Sequence, residues 1–160
     1  MSPDAAPVMI AFDGSDASRR AIDAAAELFG DRHAVVVTIW EPAIAYAVSD
    51  LEPTGPELSP IPVDIQGTQE IEDDLAEHAR RTAGDGAELA KAAGLDCEAL
   101  AVADRVSVPD TLVGLARKHE VAALVVGSRG LSGLRARLEG STSSAVLRHA
   151  PCPIVVVHAD

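Results

Sequence analysis

Apolar residues along this chain fall into two rhythms, short unbroken runs and longer stretches at helical spacing. Val8-Met-Ile-Ala-Phe12 is such a run, closed by Asp13-Gly14, and suits a buried strand rather than one face of a helix. Ser15 or Asp16 can then cap a helix in which Ile22, Ala25, Ala26 and Phe29 recur at helical spacing before Gly30 ends it. The β-branched stretch from His33 to Trp40 predicts a second strand.

From Glu41 to about Gly67 the chain carries Pro42, Pro53, Pro56, Pro60 and Pro62, so 41–67 is expected to be a long proline-rich loop: a lid, a binding loop or structural slack. Thr68 is expected to cap a long helix whose first turn holds Glu70, Glu72, Asp73 and Asp74, with Gly84 and Gly86 weakening its middle and Gly94 stopping it. Asp96 to Val102 alternates more than the earlier strands and is expected nearer a sheet edge. Ser107 with Asp110 three positions on predicts a capped helix through Leu112, Leu115 and Ala116. Val121 to Val126, Gly140 to His149 and Ile154 to Val157 complete the pattern as strand, helix and strand.

Strands that alternate with helices require parallel pairing, with crossovers that lay helices on both faces. The expected fold is a five-stranded parallel α/β sandwich. At 160 residues and 16.5 kDa one domain spanning 1–160 is expected, with 1–7 flexible. Only 2% of residues are aromatic, so the core must be built mainly of Val, Leu, Ile and Ala.

The net charge of −12 repels a phosphate backbone, and with few aromatics for base stacking it argues against nucleic-acid binding. No apolar stretch approaches the length of a membrane span and the N-terminus has no signal-like pattern, so a cytoplasmic location is expected. Cys97 and Cys152 read as reduced, packed thiols, and the five histidines form no ligand spacing for a transition metal.

One stretch departs from this acidic background. Residues 127–149 hold Arg129, Arg135, Arg137 and Arg148 against Glu139 alone. There Gly127 and Gly130 let the backbone approach a ligand or take positive φ, while Gly140, Ser141 and Thr142 offer amides and hydroxyls at a helix start. A phosphate is the natural guest, and tight packing is the alternative reading. Neither GxxxxGK[ST] nor GxGxxG is present, so a Walker-type NTPase or a Rossmann dehydrogenase lacks its central device.

The spacing Gly127-x2-Gly130-x9-Gly140-Ser141, the apolar strand before it, the segment Ala145 to Val157 after it and the opening Val8 to Ser18 together resemble the universal stress protein family. The resemblance implies the family's adenine nucleotide alpha hydrolase-like sheet in the order 3-2-1-4-5, and an ATP-binding regulatory module, with Mg²⁺, active in stress or dormancy. It implies that Gly127, Arg129 and Gly130 line ribose and phosphates and that Gly140, Ser141, Thr142 and Ser143 hold the phosphate tail. Asp13 would accept from a ribose hydroxyl or adenine amine or help place Mg²⁺; otherwise it simply caps the first helix. The backbone at Ile39 and Trp40 would sit against adenine, with Trp40 alternatively a packing residue. Two departures from the family pattern are the turn Ala103 to Pro109 and Glu139 just before Gly140.

Three functions fit this set of residues. The first is a nucleotide-binding module, with hydrolysis at most slow. The second is an ATP-hydrolysing or adenylyl-transferring enzyme using Asp13 and Mg²⁺. The third is a scaffold that binds no nucleotide. A homodimer through strand 154–157 is compatible with each, because an open sheet edge needs covering.

Overall fold

The computed structural model of the protein describes residues 5–42, 65–104, 106–127 and 150–158. In chain order its elements are β1 (Val8–Ala11), α1 (Asp16–Phe29), β2 (Ala34–Trp40), α2 (Ile65–Ala92), β3 (Cys97–Ala103), α3 (Val108–Lys118), β4 (Ala123–Gly127) and β5 (Ile154–Val157). The strands form one sheet in the order β3-β2-β1-β4-β5, and every neighbouring pair is parallel. The expected fold and strand order are both found.

Side chains alternate across the strands and divide the core in two. Val8, Ile10, Phe12, Val36 and Val125 pack with Ala21, Ile22 and Ala25 of α1 and Ala90 of α2 on one face. Met9, Val35, Val37, Leu124 and Val126 pack with Leu112 and Ala116 of α3 on the other. Strands buried on both faces are apolar without interruption, the pattern that marked β1 and β2 in the sequence. β3 lies at an edge, and its Glu98 and Ala99 are exposed. Cys97 packs on the first face and Cys152 on the second, both as free thiols. Burial pushes both thiols up from their ordinary pKa, as suits inert packed groups.

Several boundaries differ from the sequence expectations for physical reasons. α2 begins at Ile65, so Thr68 lies inside the helix, and the acidic residues 70–74 follow the first turn instead of occupying it. The helix also runs unbroken through Gly84 and Gly86. At Gly86 a Cβ would stand 2.6 Å from Phe12 Cδ1 and 2.9 Å from Val36 Cγ1, so this glycine is what lets α2 lie flat on the sheet. Gly94 stops α2 with φ +96, whereas Gly30 ends α1 at φ −55 in the right-handed region. At the start of the described residues, Arg32 Nη1 donates to Ala6 O (2.9 Å) and Ala122 N–H donates to Pro7 O (2.8 Å). Residues 43–64 and the expected helix 140–149 lie outside the described residues. No described helix is long and apolar enough to cross a membrane.

Candidate functional site

The chain builds β1, β2 and β3 outward in one direction, then returns to place β4 on the other side of β1. Strand order therefore reverses beside β1, and a crevice opens between the carboxyl ends of β1 and β4. A cavity of about 130 Å³ lies there, walled by Ala11, Phe12 and Asp13 at the end of β1, Val37 and Ile39 of β2, Val108 and Leu112 of α3, and Val126 and Gly127 of β4. Its walls are aliphatic apart from Phe12 and the carboxylate of Asp13. Asp13 and Gly127, 114 positions apart in the sequence, meet at one site, as the strand order requires.

The Asp13 turn is built locally. Gly14 takes φ +81, a conformation that favours glycine. Ser15 N–H donates to Asp13 Oδ1 (2.9 Å), and Ser15 Oγ, as N-cap of α1, accepts from Ser18 N–H (3.2 Å). The cap is therefore Ser15, and Asp13 orders the turn that presents it. Partial burial pushes the Asp13 carboxyl up, but hydrogen bonds from the Ser15 hydroxyl and amide, with help from Ser18, outweigh it and hold the group below the usual carboxylate value. It is an anion at neutral pH, with acceptor capacity beyond the bond to Ser15.

Gly127 has a reason of its own to be glycine. A Cβ there would stand 2.5 Å from Ala17 C, 2.6 Å from Ala17 O and 2.7 Å from Ser18 N. The close backbone approach anticipated from the sequence is thus made by the first turn of α1. Positive φ is not involved, since the described glycines that adopt it are Gly14 and Gly94.

Ile39 lines the cavity; Trp40, one position on, points from the other face of β2 and is not among the lining residues. The Trp40 carbonyl accepts from Asp104 N–H on the β3 side (2.7 Å). Arg129, Gly130, Gly140, Ser141, Thr142 and Ser143 lie outside the described residues, as does Glu139. Among the described residues no group of three His, Cys, Asp or Glu side chains could hold a metal ion. Among the described residues Asp13 is the one carboxylate in the cavity wall, which suits a cation carried by a ligand rather than one bound by the protein alone.

The family model of the universal stress proteins matches residues 6–158. The chain belongs to that family. It is 30% identical to a universal stress protein of Mycobacterium tuberculosis over 154 residues, covering 94% of each chain. It is 28% identical to universal stress protein YxiE of Bacillus subtilis over 151 residues, covering 94% of this chain and 97% of the other. Among solved structures, a universal stress protein in complex with cAMP is similar at 26% identity and TM-score 0.59, covering 95% of both chains. An Arabidopsis thaliana family member with AMP bound shares the fold at 18% identity and TM-score 0.56, covering 96% of this chain and 92% of that one. The Archaeoglobus fulgidus protein in complex with dAMP does so at 20% identity and TM-score 0.55, covering 94% and 96%.

As a universal stress protein the chain shows wall residues that its motifs did not signal: Val37, Val108 and Leu112. Their signal was topological. A crossover from β3 to β4 must carry α3 over the middle of the sheet, and Val108 and Leu112, four apart, fall on the face it turns inward. The turn after β3, where this chain departs from the family pattern, is ordered by Asp104 Oδ1, which accepts from Val106 N–H and Thr111 Oγ1, both at 3.0 Å.

Proposed function

We propose that this universal stress protein binds an adenine nucleotide at the carboxyl ends of β1 and β4, with ATP and its Mg²⁺ as the working ligand, and acts as a regulatory binding module. The observation that carries this reading is the cavity at the switch point, with aliphatic walls of a kind that suits a planar base and an ionised carboxylate at its end. β1 pairing ends at Ala11↔Val37, while the backbone of β2 continues, so the peptide edge of Ile39 extends past the last rung. That edge offers one donor and one acceptor to a base, and Asp13 offers acceptors to ribose hydroxyls. The relative holding cAMP and the fold neighbours holding AMP and dAMP support the class of ligand.

In this reading the phosphates extend toward Arg129, Gly130 and the Gly140-Ser-Thr-Ser143 segment, whose cations and amides suit them. Mg²⁺ arrives with the phosphates. Two copies pair through β5, which among the described residues has a neighbour on one side only and leaves Val156 exposed at 41%. The test is calorimetric titration with ATP, ADP, AMP and cAMP, with and without Mg²⁺, on the parent, Asp13→Ala and Ser141→Ala. Saturable binding to the parent and about tenfold or greater weakening in both variants is expected, the effect of losing a charge-assisted hydrogen bond. Failure of all four nucleotides to bind the parent would overturn the reading in favour of a scaffold.

A further inference from the structure

Among the described residues the core contains two buried polar side chains, Ser18 and Thr38, set among aliphatic neighbours. Both are directed at the same short stretch. Ser18 Oγ accepts from Asp13 N–H (3.4 Å) and donates to Ser15 O (2.9 Å). Thr38 Oγ1, 26 positions from its partner, donates to Phe12 O (2.8 Å) in a fully buried bond. A buried hydroxyl lowers stability unless its bond is made, so a threonine in the middle of a Val-Val-Val-Thr-Ile strand calls for a reason.

The ladder supplies one. Phe12 N–H donates to Val37 O (2.8 Å), so the Val37 peptide faces β1, while the Trp40 carbonyl faces Asp104 beyond β3. By the alternation of a parallel strand, Ile39 faces β1 as Val37 does. The next rung would be Ile39 N–H to Phe12 O. That rung is not made: pairing stops at Ala11↔Val37, and Phe12 O takes its hydrogen bond from the Thr38 side chain. The carbonyl is thereby satisfied without the Ile39 amide.

We infer that Thr38 is a positioning residue: its hydroxyl caps the last carbonyl of β1, ends the β1–β2 ladder one rung early, and so keeps the Ile39 amide open to the base of a bound nucleotide. This rests on the nucleotide-binding reading of the cavity, but its structural half stands apart from any ligand. Thr38→Val removes the hydroxyl at nearly constant volume, and the Phe12 carbonyl then draws in the next donor of the ladder, the Ile39 N–H. Thr38→Ser keeps the hydroxyl.

The test has two arms on the full chain. In the first, amide hydrogen exchange at Ile39 is followed without nucleotide and referred to Ile10 in the same sample, which corrects for any change in global stability. Protection of Ile39 should rise about tenfold in Thr38→Val, the effect of one net backbone hydrogen bond, and stay at the parent level in Thr38→Ser. In the second, AMP is titrated into all three proteins. About tenfold weaker binding is expected in Thr38→Val, with near-parental affinity in Thr38→Ser. Unchanged Ile39 protection in Thr38→Val overturns the inference, whatever the nucleotide does. Equal AMP affinity in all three proteins overturns the link to the base. Absence of AMP binding to the parent overturns the functional reading alone, and the exchange arm still decides the role of Thr38.

Discussion

Two strand-to-helix turns in this molecule are built from the same parts, and only one of them is a candidate site. After β1, Asp13 Oδ1 accepts the amide two residues on and Ser15 caps α1. After β3, Asp104 Oδ1 accepts the amide two residues on (Val106, 3.0 Å) and Ser107 caps α3, its Oγ accepting from Asp110 N–H (3.3 Å) and donating to Asp110 Oδ2 (2.6 Å). The difference is position in the sheet. β1 sits at its centre beside the point where strand order reverses, so its turn opens on a cavity closed by β2, β4 and α3. β3 is an edge strand, and its turn is tied to the end of β2, where Asp104 N–H donates to Trp40 O, away from the point where strand order reverses. The same local chemistry stabilises a helix start in both places and, in the reading proposed above, serves a ligand only where topology adds walls.

Mutation can separate the walls from the turn. Gly127→Ala puts a Cβ into the backbone of Ala17 and Ser18, which cannot yield as a flexible side chain would, so denaturant unfolding should show a loss of about 3 kcal/mol. Nucleotide binding should fall with the fold, which makes this variant a test of packing rather than of ligand contact. Gly86→Ala meets the Phe12 ring and Val36 but gains helix propensity, so its net cost should be smaller, about 1–2 kcal/mol by the same measurement.

Asp13→Asn and Asp104→Asn compare the two turns directly. Asparagine can keep the bond to the following amide, so both variants should stay within about 1 kcal/mol of the parent. Calorimetry should then find AMP affinity reduced about tenfold in the first and unchanged in the second. Ser15→Ala and Ser107→Ala should each cost about 1 kcal/mol, because the two caps do equivalent work.

The smallest effect is in acid. The carboxyl of Asp13 is held below its unfolded value, so its contribution is present above the ordinary carboxylate pKa and lost as pH falls through the lower folded value. A pH series of unfolding curves should show the parent losing more stability than Asp13→Asn in that acidic window, and no difference between their slopes at neutral pH.

Much of this was legible in the chain. The strands showed as apolar runs because a parallel sheet buries both faces, and the edge position of β3 showed in its alternation. Ser107 with Asp110 announced α3, and Ser15 or Asp16 announced α1, whose cap is Ser15, because caps are made within a few residues. What a sequence carries poorly is contact between distant segments. Gly86 looked like a flaw in a helix until Phe12 was placed beneath it, and Gly127, read as a ligand contact with tight packing as the alternative, both lines the cavity and lies against the first turn of α1. Thr68 looked like a cap, yet the helix starts three residues earlier. Trp40 and Ile39 were indistinguishable as neighbours, and strand alternation put only Ile39 in the cavity wall.

In the reading proposed above, the crevice between the ends of β1 and β4 receives the nucleotide. Amide NMR spectra recorded during a titration with AMP test it most directly. Saturable shifts concentrated at Asp13, Ile39 and Gly127, with Val106 and the amides of β3 unmoved, are the expected result. Shifts that cluster around the Asp104 turn, or that spread over the surface without saturating, would contradict it.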